Sequence, residues 1–232
     1  MTSDAPFLGI LSLDNAFPRV PGDGGNPESY PFPARVRVVD GADSPAIVRD
    51  GRPDPAIVAR FVEAAQKLEA DGAAVLVSTC GFLVTAQDEI ARSVTIPVML
   101  SALSLYPAIA AVRPGPVGVI TASRAALGEA ALAAAGIGRA DVRIAGLEDV
   151  PAFADAILPA KAAQARDLDT RAIASALAAK GRALLDAEPN LSAILLECAN
   201  LPPYSGALRA ATGLPVFDIL DGAGLIWSAA QK

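Results

Sequence analysis

The feature that most limits the fold of this chain is one pattern that occurs twice. Short segments, uniformly apolar and rich in Val, Ile and Leu, alternate with stretches of helical character. The strand candidates are 7–13, 35–39, 73–78, 96–100, 117–121, 142–145, 193–197 and 216–219. Strands buried on both faces read as such continuous apolar runs. The helical stretches are 54–70, 124–135, 170–187 and 222–230, the first with apolar residues at Ile57, Val58, Phe61, Ala65 and Leu68 behind Pro53 and Pro55. Alternating β and α elements predict parallel sheets joined by right-handed crossovers. An internal echo supports two halves of one plan. Cys80 and Cys198 are 118 residues apart, and so are the segments IPVM at Ile96 and LPVF at Leu214. The segments GIL at Gly9 and GVI at Gly118 are 109 apart, so an indel separates the first strand from the cysteine strand.

Composition excludes several classes of function. The 232 residues include no histidine and two cysteines. A Ser-His-Asp triad, a histidine-based zinc site and an all-cysteine zinc site are therefore impossible. Two cysteines are no disulfide framework, which points to a reducing, cytoplasmic compartment. The net charge of −6, with scattered positives, disfavours nucleic acid and anionic membranes as partners. The start of the chain has no basic segment followed by a long apolar one, so no signal peptide is expected. No apolar stretch is long enough to span a bilayer. The segment PGDGGN at Pro21 lacks the Gly-Lys-Ser/Thr ending and the helix of a phosphate loop, and is set aside.

The two cysteines hold the chemistry. Both stand at the carboxyl end of a strand, in STCGF and LECAN, where open parallel sheets bind ligands. Backbone N–H groups at such a turn favour the thiolate. A single cysteine in a strand ordinarily serves as a small core hydrophobe. The equivalence of the two positions, and their polar neighbours Ser78, Thr79, Glu197 and Asn200, argue for a site instead. Two opposed thiols suit inversion of a carbon centre: one removes a proton from one face, the other returns a proton to the opposite face. Thr79, Gly81, Thr121, Ser123 and Asn200 are candidate donors to the substrate carboxylate. Residues 14–33, dense in Gly and Pro, form either a surface excursion or a lid over the site. Arg19, Arg35, Arg37 and Lys161 are candidates for a distal carboxylate. Phe17, Tyr30 and Phe32 could instead shape a pocket for a less polar group. Tyr106 and Trp227 read as packing residues.

The motifs GILSLDN, STCGF, GVITAS and LLECANLPPY resemble the aspartate/glutamate racemase superfamily, which includes hydantoin racemases, maleate isomerases and arylmalonate decarboxylases. The resemblance covers nearly the whole chain. It implies an α/β protein of two pseudo-symmetric flavodoxin-like lobes, each with a parallel four-stranded sheet, and an active site in the cleft between them. The expected lobes are 1–103 plus 215–232, carrying Cys80, and 104–214, carrying Cys198. It implies a cofactor-independent amino-acid racemase or epimerase, acting on an aspartate- or glutamate-like substrate, with Cys80 and Cys198 as the two bases and no metal. A homodimer is the expected assembly. Asp14 and Asn15 match the family's Asp-Ser pair, so Asp14 is expected to tune Cys80 and Asn15 to help hold the carboxylate. Thr79 matches a carboxylate-binding position, and Thr121 and Ser123 match a hydroxyl cluster. Asn200 stands where glutamate racemases carry a histidine, which leaves Glu197 as the candidate to assist Cys198. Other reactions of the superfamily, maleate-type cis–trans isomerisation and arylmalonate-type decarboxylation, are the alternatives, together with a non-catalytic binding role.

Overall fold

The computed structural model describes residues 5–231. Among these residues the chain forms β1 (Phe7–Leu13), β2 (Ala34–Val39), α1 (Ser44–Ile47), α2 (Pro55–Ala70), β3 (Ala73–Ser78), α3 (Gln87–Arg92), β4 (Val98–Met99), α4 (Tyr106–Val112), β5 (Val117–Thr121), α5 (Glu129–Ala134), β6 (Val142–Gly146), α6 (Pro151–Ile157), α7 (Thr170–Ala187), β7 (Ala193–Leu196), α8 (Ser205–Thr212), β8 (Val216–Phe217) and α9 (Ile219–Ala230). The strands make two four-stranded sheets, ordered β2-β1-β3-β4 and β6-β5-β7-β8, and every pairing is parallel. Counted within its own half, each sheet has the same order. The duplication expected from the spacing of the cysteines is thus present as topology.

That order fixes where a ligand can sit. In each sheet the chain reverses direction between the first and third strands of the half, and the crevice of a doubly wound sheet opens there, at the carboxyl ends. β1 leads into Asp14 and Asn15, and β3 into Thr79 and Cys80. β5 leads into Ala122 and Ser123, and β7 into Glu197 and Cys198. These inner strands are buried almost throughout, which explains their unbroken apolar sequences. The outer strand β2 is different. Its Arg35, Val36 and Val38 are exposed, and charged side chains on such an edge discourage pairing with another chain. Arg35 lies over the Phe7 ring, 4.1 Å from its centroid, and Arg37 pairs with Asp71 at 3.0 Å.

Local sequence explains the helices that carry the sheets. α2 begins at Pro55 after Asp54, whose side chain accepts from Ala56 N at 2.8 Å, and buries Val58, Phe61, Ala64, Ala65 and Leu68. α7 starts from Asp169, which accepts from Ala172 N at 2.9 Å. α8 ends at Gly213, whose φ of 69° is a left-handed conformation that glycine adopts without strain.

Some boundaries depart from expectation. The helix expected over 124–135 begins only at Glu129, because residues 124–126 form a turn capped by Ser123 and Gly128 precedes the helix. The strand expected to run to Ile219 stops at Phe217, because Asp218 is the N-cap of α9 and forms a reciprocal capping box with Asp221. The second lobe boundary moves with it. Val216–Phe217 pairs with β7, so the expected break after residue 214 falls one strand too early. Only after Asp218 does the chain return, as α9, to pack on β3 and β4. The short helices α4, α6 and α8 were not anticipated. Each is a brief Ala-containing segment of seven or eight residues, too short for its periodicity to stand out. No helix among the described residues is long and apolar enough to cross a membrane.

The capping box at Asp218 stands where the chain passes from β8 of the second sheet into α9 on the first. Its carboxylate accepts from Leu220 N at 2.9 Å and from the buried Ser205 hydroxyl at 2.9 Å. Replacing Asp218 with Ala removes both acceptors, and is expected to lower the unfolding free energy by about 2 kcal/mol in urea titrations.

Candidate active site

The first cysteine is held by the end of its own strand. Thr79 N–H donates to Leu11 O at 3.0 Å, while the Thr79 hydroxyl accepts from Leu13 N at 3.0 Å, so β1 and β3 are pinned together where they end. Ser78 Oγ donates to Leu100 O at 2.5 Å and accepts from Cys80 N at 3.2 Å. Cys80 is extended and precedes a 3-10 turn at Gly81–Ala86. The second cysteine follows Glu197 at the end of β7. Each sulfur meets the backbone N–H two residues further on, from Phe82 at Cys80 and from Asn200 at Cys198. The two halves thus build the same small feature twice. Both cysteines are free thiols and buried.

Cys80 and Cys198 line one cavity, as do Asn15, Thr79, Gly81, Phe82, Glu197 and Asn200, with Ala122, Ile157 and Leu158 closing the wall from the second half. The cavity holds about 20 Å³, room for about one water molecule. A wider groove over Arg124, Glu148 and Lys180 lies away from both thiols.

Glu197 is the electrostatic centre of the site. It is 1% exposed. Its Oε2 accepts from the Thr121 hydroxyl at 2.8 Å, and its Oε1 has no hydrogen-bond partner among the described residues. A Cβ placed on Gly81 would lie 2.4 Å from that Oε1, so only glycine lets the turn after Cys80 approach the carboxylate. Burial pushes the Glu197 carboxyl up to about 7, against the opposing bond from Thr121. Burial also raises both thiols, and the Glu197 charge raises them further. The N–H groups of Phe82 and Asn200 favour the thiolates as expected, but desolvation outweighs them. In the closed cavity both cysteines are therefore neutral, and Glu197 is the most acidic of the three groups.

Asn200 is positioned from the loop after β1. Cys198 Sγ donates to Asn200 Oδ1 at 3.4 Å, and Asn200 Nδ2 donates to Asp23 Oδ2 at 2.8 Å. Asp23, 1% exposed, also accepts from Gly25 N at 2.7 Å and from Arg19 Nη1 at 3.1 Å. A carboxylate only accepts, so Asp23 fixes which end of the Asn200 amide faces the sulfur. This chain of contacts stands at the position where the resemblance to glutamate racemases leads a histidine to be expected. It also shows what the Gly-rich loop is for. Gly24 N donates to Ala199 O at 2.8 Å, Tyr30 OH donates to Gly24 O at 2.7 Å, and Phe32 stacks on Trp227 at 4.5 Å. Residues 14–33 close over the site as a rim.

Other expected residues fall differently. Asp14 does not reach Cys80. Its carboxylate pairs with Lys161 and accepts from Gly41 N at 3.1 Å, and Lys161 holds it below the usual carboxylate range. Asn15 lines the cavity and accepts from Gln164 Nε2 at 3.2 Å. Thr121 stands behind Glu197 and outside the cavity wall. Ser123 accepts from Ala126 N at 3.3 Å and caps the turn after β5 instead of facing the thiols. Arg35 and Arg37 lie on the outer strand, tied to Phe7 and Asp71. Two site-forming residues, Asp23 and Gln164, were not singled out from sequence. Gln164 Oε1 accepts from Ala16 N at 2.7 Å, and its Nε2 faces Ile157 O at 3.0 Å, so one buried amide from the second half ties down the rim of the first.

The raised Glu197 carboxyl has a measurable consequence. A group whose pKa rises on folding stabilises the fold while protonated, and that contribution is lost as pH rises through the folded value. From pH 4 to 8 the wild-type protein should therefore lose stability relative to Glu197→Gln, by roughly 3 kcal/mol, in paired urea titrations.

The sequence-family model described as Asp/Glu/Hydantoin racemase matches residues 29–223. The chain is 32% identical over 224 residues to a protein of Durusdinium sp. clade D named dimethylsulfoniopropionate lyase, covering 93% of this chain and 72% of that one. It is 33% identical over 243 residues to dimethylsulfoniopropionate lyase 7 of Emiliania huxleyi (strain CCMP1516), covering 95% of this chain and 66% of the relative. In fold it is similar to allantoin racemase from Klebsiella pneumoniae, with a TM-score of 0.63 at 13% identity over 97% of this chain and 87% of the other. It is similar in the same sense to unliganded arylmalonate decarboxylase, with a TM-score of 0.60 at 15% identity over 98% and 93%. On its sequence and its two matched sheets, the chain belongs to the Asp/Glu/hydantoin racemase family.

Proposed function

We propose that this protein deprotonates the carbon next to a small carboxylate without a cofactor, and that its substrate is a β-sulfonio carboxylate, dimethylsulfoniopropionate. The reaction is an elimination. A cysteine thiolate takes one α-hydrogen as a proton, the C–H electron pair becomes the C=C bond, and the carbon–sulfur bond breaks with its pair on sulfur. The products are dimethyl sulfide, acrylate and a protonated base. The observation that carries this reading is the identity of 32–34%, over more than nine tenths of the chain, to relatives bearing the name of that lyase.

The geometry agrees with such a substrate. Asn15 Nδ2 and Arg19 Nη2 have no hydrogen-bond partner among the described residues, and with the Thr79 hydroxyl they suit a carboxylate. Among the described residues, no Lys or Arg lines the cavity to meet a second, distal carboxylate. Lys161 is paired with Asp14 and Arg37 with Asp71, and Arg35 lies on the outer strand over Phe7, which leaves Arg19 for the one carboxylate. A cationic sulfonium entering the cavity offsets the charge of a thiolate that burial alone would disfavour. Two free thiols fit the reducing environment of the cytoplasm.

Amino-acid racemisation or epimerisation by Cys80 and Cys198 is the second reading. The equivalent placement of the two sulfurs on one cavity favours it. The two readings separate by product. Purified protein given dimethylsulfoniopropionate should release dimethyl sulfide into the headspace and acrylate into solution, and Cys80→Ser and Cys198→Ser should each lower the rate at least about 100-fold. If neither product forms, and an amino-acid panel in deuterated water shows inversion with deuterium at Cα, the second reading replaces the first.

A further inference from the structure

Buried polar atoms in folded proteins nearly always have partners, and one left alone calls for an explanation. Glu197 Oε1 is such an atom. It belongs to a cavity-lining residue that is 1% exposed, it lies against Gly81, and its charge is felt by both thiols. Its sister oxygen is held by Thr121, so the side chain is oriented while the inner oxygen stays free.

We propose that Glu197 Oε1 is the anchor of a cation subsite for a methylated onium head, sulfonium or quaternary ammonium, carried by a small zwitterionic carboxylate. The assignment rests on the elimination reading for the carboxylate end of the ligand and deepens it at the other end. The wall around Glu197 selects the kind of cation. A primary ammonium brings three N–H donors and needs about three acceptors. Beyond Glu197 Oε1, the side-chain oxygens of Asn15, Ser44, Thr79 and Asn200 each already accept a hydrogen bond. The remaining wall is soft or apolar: two neutral thiols, the Phe82 side chain, Ala122, Ile157 and Leu158. A methylated onium donates no N–H bonds. It needs one negative charge and polarisable or aromatic neighbours, which this wall offers. The same oxygen would repel a distal carboxylate, so the subsite also sets specificity against dicarboxylic amino acids.

The test compares two carboxylates of one shape, 3-(trimethylammonio)propionate with a cationic head and 4,4-dimethylpentanoate with a neutral one. Trimethylamine is a far poorer leaving group than dimethyl sulfide, so binding is read without turnover. Calorimetry on the wild-type protein should give at least tenfold tighter binding of the cationic ligand, and Glu197→Gln, folded by near-ultraviolet circular dichroism, should lose that preference. Equal affinities in the wild type, no binding of either ligand at millimolar concentration, or an undiminished preference in Glu197→Gln would overturn the subsite. If Glu197→Gln does not fold, the wild-type comparison decides alone. A clear cationic preference without release of dimethyl sulfide would leave the subsite standing and remove the lyase reading.

Discussion

Three ionisable groups, two thiols and one carboxyl, are withdrawn from water into a space that holds about one water molecule. The rest of the site answers to that constraint. Ionising any of these groups in the closed cavity is costly, so the donors around them are arranged to limit the cost. Phe82 and Asn200 turn their N–H groups to the sulfurs, and Thr121 turns its hydroxyl to Glu197. The strand ends supply these donors because parallel strands stop there and leave amides without partners. Doubling the half then places two such ends face to face.

The scaffold and its cysteines were legible in the sequence for a physical reason. Strands buried on both faces must be apolar throughout, so they announce themselves, and a duplicated plan repeats at a nearly fixed spacing. The edges of elements were less legible. Asp218 ends β8 and starts α9 through a capping box whose residues are written in the sequence, yet the apolar Ile219 just beyond it extends the look of a strand. The partners of the site residues were the least legible. Asp23 reaches Asn200 across 177 residues and Gln164 reaches Asn15 across 149, and no local period records such contacts. Asp14 illustrates the same limit. Its place after β1 matches the family pattern, but its direction is decided by Lys161, which arrives from the other half.

Family membership does not fix the reaction, because racemisation, decarboxylation and elimination share their hardest step. Each needs negative charge to develop on a carbon beside a carboxylate, and a buried, preorganised site stabilises it. The fate of that charge depends on the far side of the carbon. A returned proton gives inversion, and a departing group gives a double bond. The distinction therefore lies in whatever contacts the substituent. In the proposed subsite that contact is with a carboxyl, Glu197, set beside a turn that must be glycine to admit it.

On the elimination reading, the closed cavity calls for an opening step. A carboxylate with a methylated head is several times larger than one water, so it cannot enter the site as it stands. The rim 14–33 is the element able to yield. It crosses to the second half through few polar contacts: Asp14 to Lys161, Asp23 to Asn200, Gly24 to Ala199, and Ala16 and Asn15 to Gln164. Several of those contacts also orient Cys198 and line the cavity. Opening would admit water to both thiols and loosen the Asn200 amide, which would lower the cost of forming a thiolate before a substrate is enclosed. Closure would then remove that water and restore the geometry of the cavity. On this reading, entry and activation of the base would be one motion, carried by the same handful of hydrogen bonds.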